Sequence, residues 1–400
     1  MSEFVDCAQC GADDFETVYR HPSGGVAHGA CRRCGLGYLS PRPDAAATTR
    51  LYDGYRQAYP DAFLAATDGP FGRAAAARAA FLDRWLRPGA RILEVGCGYG
   101  HFLHAARAAG YRVEGLEPSQ HQVQFARERL GLTSVERGLL DDVARDGRQD
   151  LVAMFHVIEH LRDPQAALQL LAQAVRPGGL VWLELPNALR LPCDAIEHHY
   201  IVAGHHLHTF TPRVLAAMAA RAGFETLYLA EDPLPAVYEA NLRFVGRRVA
   251  AAATPPPRRP AETLRSLTAH HRRLAALGAR VSGKVQRWRA VGRRIALYGA
   301  GFHTRGLVDL CAFGAHEIDC ILDDDRTKHG TELAGFPVCA PDSLHERRID
   351  AVLVSSLAAE TAIVDRLRAQ APRGCVVNGI YVAEPRRPSA AARGPRLEVR

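Results

Sequence analysis

Residues Ile92-Leu93-Glu94-Val95-Gly96-Cys97-Gly98-Tyr99-Gly100 constrain the fold more than any other segment of this 400-residue chain. An apolar strand ends in three glycines at alternate positions and runs directly into the helical pattern HFLHAARAAG. Glycine lets the backbone turn sharply and pass close to a ligand, and a helix N-terminus presents unpaired N–H donors. A dinucleotide turn would read GxGxxG. The spacing here is GxGxG, with an acid two positions before the first glycine. Strand and helix patterns then alternate: YRVEGLEPS, QHQVQFARERLG, DLVAMFHVIEHL, a helix to Val175, and GLVWLELPN. That rhythm predicts an α/β domain with a mostly parallel sheet covered by helices.

Four of the ten cysteines fall early, as Cys7-x2-Cys10 and Cys31-x2-Cys34. Two short knuckles of this spacing can place four sulfurs around Zn²⁺ at about 2.3 Å, and Gly11 and Gly35 suit the knuckle turns. Four protein ligands close the coordination sphere, so the expected zinc is structural. The remaining cysteines lack pair spacing and read as small buried apolar residues.

After the first α/β unit, five histidines lie between 198 and 208, within Glu197-His198-His199-Tyr200 and His205-His206-Leu207-His208-Thr209-Phe210. Thr211-Pro212 opens a helix, and two strand patterns, ETLYLAED and ANLRFVGRRV, follow. AAAATPPPRRP is the clearest linker, and a polar helix over about 261–290 leads to a second α/β unit at RRIALYGAGFHTRGLVDL. The expected organisation is a zinc-binding module with a helical extension (1–75), a cofactor-binding core (76–249), a linker and helix (250–290), a second Rossmann-like domain (291–385) and a disordered tail (386–400).

Composition excludes several classes. With 48% hydrophobic and 23% charged residues the chain is globular in character. No window approaches 18 uninterrupted apolar residues, so no membrane span is expected. The N-terminus carries acids and no apolar stretch, which predicts a cytoplasmic protein without a secretory signal. The net charge of +7 comes almost wholly from dispersed Arg, with Lys only at Lys284 and Lys328. A nucleic-acid binder concentrates its basic residues on one face, so a small-molecule substrate is favoured over nucleic acid.

The GxGxG turn, the acid ending the second strand (Glu117), FHVIEHLRDP and RPGGLVWLELPN together resemble, in order, the motifs of the class I S-adenosylmethionine-dependent methyltransferases. The resemblance implies S-adenosylmethionine as cofactor. Glu94 would hold the ammonium of its methionine part, Gly96, Gly98 and Gly100 would admit it, and Glu117 would take both ribose hydroxyls. His156 would face the transferred methyl. Many relatives carry an acid after the third strand that meets the adenine; Leu139-Leu140 stand there, so that contact is unassigned.

The whole order of modules is similar to the three-domain sugar C-methyltransferases, which act on nucleotide-linked deoxyketosugars. Placing Phe210 on that family's aromatic residue puts His206 on its catalytic histidine, with His205 where the family has Glu and Ala203 where it has Tyr. An imidazole can remove a proton beside a ketone or accept one from a hydroxyl. His206 is the expected base, with His208, His198 and Glu197 assisting and Tyr200 near the substrate. One alternative is O- or N-methylation of a natural-product or glycan acceptor; another, of a different class, is a zinc-ribbon nucleic-acid-binding protein. In the C-terminal unit, Gly299, Gly301, His303 and Arg305 are expected to meet the substrate's nucleotide.

Overall fold

The computed structural model describes residues 2–21, 25–48, 67–191, 206–231, 241–250, 258–356 and 359–381. These fall into two compact units, the first reaching Thr268 and the second beginning at Ala269. Glu197, His198, Tyr200, most of the Pro-rich linker and the C-terminal tail lie outside the described residues, as does much of the helical extension.

In the first unit, β1 (Ser2–Glu3) pairs antiparallel with β5 (Arg42–Pro43). Between them, β2 (Phe15–Arg20), β3 (Ala27–Cys31) and β4 (Gly37–Leu39) form a small antiparallel sheet. Helix α1 (Pro70–Leu82) leads to the main sheet. Its strands are β6 (Arg91–Val95), β7 (Arg112–Glu117), β8 (Val135–Arg137), β9 (Gln149–Phe155) and β10 (Val175–Pro186). Ile92, Leu93 and Val95 are all buried, the continuous apolar run of a strand covered on both faces.

The crossover helices are α2 (His101–Ala108), α3 (Gln120–Leu130) and α4 (Pro164–Ala174). They start where the sequence offers caps. Ser119 accepts from Gln122 N, and Asp163 accepts from Ala166 N just before Pro164. Gly131, at φ +66°, closes α3.

The chain then adds β11 (His208–Thr209), α5 (Pro212–Arg221), β12 (Phe224–Glu231) and β13 (Asn241–Arg248). The seven-stranded order is β12-β13-β10-β9-β6-β7-β8, parallel from β10 to β8, with β13 antiparallel to both neighbours. The strand order reverses between β6 and β9, which is where an open α/β sheet offers a crevice at its carboxyl edge. β11 joins the small sheet instead, with His208 opposite Tyr38 and Thr209 opposite Gly37. The cysteine module therefore shares its sheet with the histidine-rich connection.

One buried apolar cluster runs continuously from Cys31, Leu36 and Tyr38 to Val152, Leu183 and Phe244. The opposite cluster gathers Ile92, Phe102, Trp182 and Val245. An ion triad ties α1 to the sheet. The Glu184 carboxylate, fully buried, accepts from Arg78 Nε and Arg243 Nε at 2.7 Å each. Burial disfavours its charge, but the two guanidinium groups hold its carboxyl below the usual range. Removing that charge leaves two buried cations short of an acceptor. Glu184→Gln is expected to lower unfolding stability by about 2–3 kcal/mol, measured by urea denaturation at neutral pH; an unchanged midpoint would show that the triad is dispensable.

The second unit holds most of the long helix α6 (Pro260–Ala290), packed on a six-stranded sheet. Its elements are β14 (Ile295–Tyr298), α7 (Phe302–Cys311), β15 (Cys320–Leu322), β16 (Glu332–Leu333), β17 (Phe336–Cys339), α8 (Ser343–Glu346), β18 (Ala351–Val354), α9 (Glu360–Gln370) and β19 (Val376–Gly379). The order is β16-β17-β15-β14-β18-β19, all parallel except the β16–β17 pair. The expected second Rossmann-like unit is present, with the β16–β17 hairpin as an addition. Among the described residues no helix is long and apolar enough to cross a membrane.

Candidate functional site

The three glycines of the β6–α2 turn all adopt positive φ: +74° at Gly96, +54° at Gly98 and +80° at Gly100. Any other residue would be strained there. Their surroundings differ. A Cβ on Gly96 would meet Val157 Cγ2 at 2.5 Å, and one on Gly100 would meet Leu132 Cδ1 at 2.6 Å. A Cβ on Gly98 would meet nothing within 4 Å. Gly96 and Gly100 thus permit close packing of the turn, and Gly98 is the position whose bare backbone faces open space.

Glu94 ends β6 beneath this turn and is 4% exposed. Its Oε2 has no hydrogen-bond partner among the described residues. Burial pushes its carboxyl well above the usual range, against the opposing pull of Arg78, and the nearby Glu117 and Glu184 push the same way. A buried, unpartnered carboxylate oxygen is a site made for a cation or a donor. Glu117, at the end of β7, accepts from Gly98 N and Ser119 N at 2.9 Å each. Those two bonds hold its carboxylate at the edge of the same turn. An ammonium facing Glu94 and vicinal hydroxyls facing Glu117 fit these donors and acceptors, so the residues suit the cofactor that the motifs imply.

The next strand brings a second group to this edge. His156 follows β9 at φ +54°, its N–H donating to Glu184 O at 2.8 Å. A single 3₁₀ turn, Ile158–His160, then places Glu159 and His160. His206 comes from the connection after β10, its ring edge-on to that of His160 with centroids 4.7 Å apart. The structure thus joins three residues to the expected base. Two of them, Glu159 and His160, lie within FHVIEHLRDP but carry no spacing that marks them in the sequence as functional.

His208 sits differently. It is fully buried and paired within β11, and burial, with Arg42 nearby, depresses its imidazole to about 3, so it stays neutral. Beside it, His28 Nε2 and Thr209 Oγ1 lie 3.0 Å apart.

In the cysteine module, Gly11 (φ +66°) and Gly35 (φ +86°) form the knuckle turns, returning N–H bonds to Cys7 O and Cys31 O. Cys7 and Cys34 sulfurs lie 3.4 Å apart, Cys10 and Cys31 sulfurs 3.6 Å, and all four within 4.8 Å of one another. Sulfurs bound at 2.3 Å around a tetrahedral centre would stand about 3.8 Å apart. The hydrogen bond shared with Cys34 draws the Cys7 thiol down to about 6 and pushes the Cys34 thiol up. Geometry and donor set both suit a tetrahedral zinc.

In the second unit, a Cβ on Gly299 (φ +103°) would meet Ser355 O at 3.0 Å, while one on Gly301 would meet nothing within 4 Å. Arg305 is exposed on α7. His303 is buried and depressed to about 4, with Nδ1 2.8 Å from Ser355 Oγ and Nε2 2.7 Å from Tyr381 OH. Both ring nitrogens are thus engaged within the domain. Asp323, just after β15, accepts from Ala300 N in the turn.

Residues 69–229 match a family described as a methyltransferase domain, and residues 240–378 a C-methyltransferase C-terminal domain. A ubiquinone biosynthesis O-methyltransferase of Thiobacillus denitrificans is 31% identical over 167 residues, covering 38% of this chain and 72% of that protein. One from Xanthomonas axonopodis is 30% identical over 181 residues, covering 40% of this chain and 72% of that protein. Among solved structures, an S-adenosylmethionine-dependent methyltransferase from Mesorhizobium loti is 21% identical, with a TM-score of 0.38, over 45% of this chain and all of that one.

Proposed function

Since the chain belongs to the S-adenosylmethionine-dependent methyltransferases and carries a C-methyltransferase C-terminal domain, we propose that it methylates a carbon of a nucleotide-linked deoxyketosugar. When bound, S-adenosylmethionine supplies a sulfonium methyl as the electrophile. Glu94 receives the ammonium of the methionine part, Gly98 gives the cofactor a bare backbone face, and Glu117 receives the ribose hydroxyls. The four thiolates of Cys7, Cys10, Cys31 and Cys34 hold a structural zinc with no position left for chemistry.

The observation that carries the reading is the seating of His206 against Glu159 and His160, beside Val157, which packs on the cofactor turn. On this reading, a group from the connection after β10 serves the edge of the sheet where the donor methyl would lie. A carbon beside a ketone must lose a proton before it can attack. The carbanion's electron pair would form the new C–C bond, and the electrons of the broken methyl–sulfur bond would stay on sulfur. His206 engages this reacting end of the acceptor, and the proton passes to an imidazole of the His156, His160 and His206 group. Gly301 and the exposed Arg305 are the positions in the C-terminal unit offered to the nucleotide; His303 frames the turn from within.

The test is methyl transfer from carbon-13-labelled S-adenosylmethionine to a nucleotide-linked 4-keto-deoxysugar, read by NMR. The expected product carries the label on carbon. His206→Ala is expected to lower kcat about 100-fold or more while the calorimetric Kd for S-adenosylmethionine stays unchanged. Label on oxygen would favour the chemistry of the O-methylating relatives. No label on any such sugar would overturn the acceptor class.

A further inference from the structure

Four ionisable side chains converge at the carboxyl end of β9, and one of them lacks what it needs. Glu159 is 1% exposed, and neither of its carboxylate oxygens has a hydrogen-bond partner among the described residues. His156 Nδ1 lies 3.5 Å from its Oε1 and His160 Nε2 lies 3.9 Å from the same oxygen, both too long for hydrogen bonds. One ligand atom each from Glu159, His160 and His206 lies within 4.8 Å of the others. A buried carboxylate that meets its imidazole neighbours only at these distances is costly to bury, and a cation shared with them would supply a close partner.

We infer that Glu159, His160 and His206 bind a divalent cation at the carboxyl edge of the sheet. The spacing fits: two ligands at about 2.1 Å from a tetrahedral ion stand about 3.4 Å apart. Imidazole with a single carboxylate suits a transition-series ion such as Zn²⁺, Mn²⁺, Fe²⁺ or Co²⁺ better than Mg²⁺ or Ca²⁺, which favour oxygen donors. The site differs in kind from the cysteine cluster. Its ligands are nitrogen and oxygen, it lies beside the cofactor turn, and three protein ligands leave positions open. On the function proposed above, on which this consequence rests, the cation meets the acceptor's ketone oxygen and His206 works as a ligand rather than as a bare imidazole. The metal site itself stands on the geometry alone.

Cobalt titration of metal-stripped full-length protein tests it, because thiolate and imidazole–carboxylate sites give separable spectra. The expected parent binds about two Co²⁺ per chain, one with sulfur-to-cobalt charge-transfer absorption and one with visible d–d bands alone. Glu159→Gln and, independently, His206→Ala are expected to weaken the second site 10–100-fold or more while the charge-transfer band and S-adenosylmethionine binding persist. One cobalt per chain in the parent would overturn the inference without recourse to any variant. So would a second cobalt bound equally well by both variants. Two cobalts lost one at a time as expected, with no methyl transfer to any ketosugar, would uphold the metal site and sink only the proposed acceptor.

Discussion

Cys34→Ser protein is expected to lose its thiolate-held metal and, with it, most of its turnover. Binding of zinc by four cysteine ligands is worth about 10–16 kcal/mol in small zinc modules, and much of that is folding energy. The module here is also part of the main core. Cys31, Leu36 and Tyr38 pack in the same cluster as Leu183 and Phe244. Loosening it therefore lowers the melting temperature, by on the order of 10 °C for a unit of this size. The effect reaches the candidate site by a named route. β4 carries β11 through the His208–Tyr38 and Thr209–Gly37 pairs, and His206 lies just before β11. Glu94 and Glu117 stand on β6 and β7 of the other sheet, so S-adenosylmethionine binding should survive while kcat falls. The checks are metal content, melting temperature and calorimetry on one preparation. Retained zinc with an unshifted melting temperature would end the structural-zinc reading. Loss of cofactor binding along with turnover would disprove the proposed route.

Glu94→Ala is expected to weaken S-adenosylmethionine binding about 1,000-fold, about 4 kcal/mol, by removing the buried partner of the ligand's ammonium. Glu117→Ala should cost less, because its carboxylate already accepts from Gly98 N and Ser119 N. The Glu94 loss carries a protonation signature. Burial raises its carboxyl well above the usual range in the free protein, and a bound cation lowers it again. Binding therefore releases a proton and tightens as pH rises through the raised value. Calorimetry in buffers of different ionisation enthalpy should show this release in the parent and not in Glu94→Gln. Normal affinity in both Glu94→Ala and Glu117→Ala would overturn the cofactor assignment.

The backbone geometry of these two places was legible because it is local. A GxGxG turn needs positive φ at Gly96, Gly98 and Gly100, and the structure has it at all three. Paired Cys-x2-Cys knuckles bring sulfurs together through turns that Gly11 and Gly35 permit, whatever the rest of the chain does. The alternation of strand and helix patterns likewise predicts the parallel sheet, since each crossover helix must cover it. Short elements were not legible. β11 has two residues, too few for any period, and the β16–β17 hairpin is scarcely longer.

The sequence alone therefore determined the kinds of domain, the cofactor turn and the cysteine cluster, because each depends on backbone conformation or spacing within a few residues. Tertiary structure decided which charges meet. Nothing near Arg78 or Arg243 in the chain marks them among 50 basic residues as the partners of Glu184. They meet because α1 covers β10 and because β13 pairs with it. Glu159 and His206 meet because β9 and β10 are neighbours whose ends open on one edge. Burial then does what no sequence pattern can state: it makes a carboxylate without close partners costly.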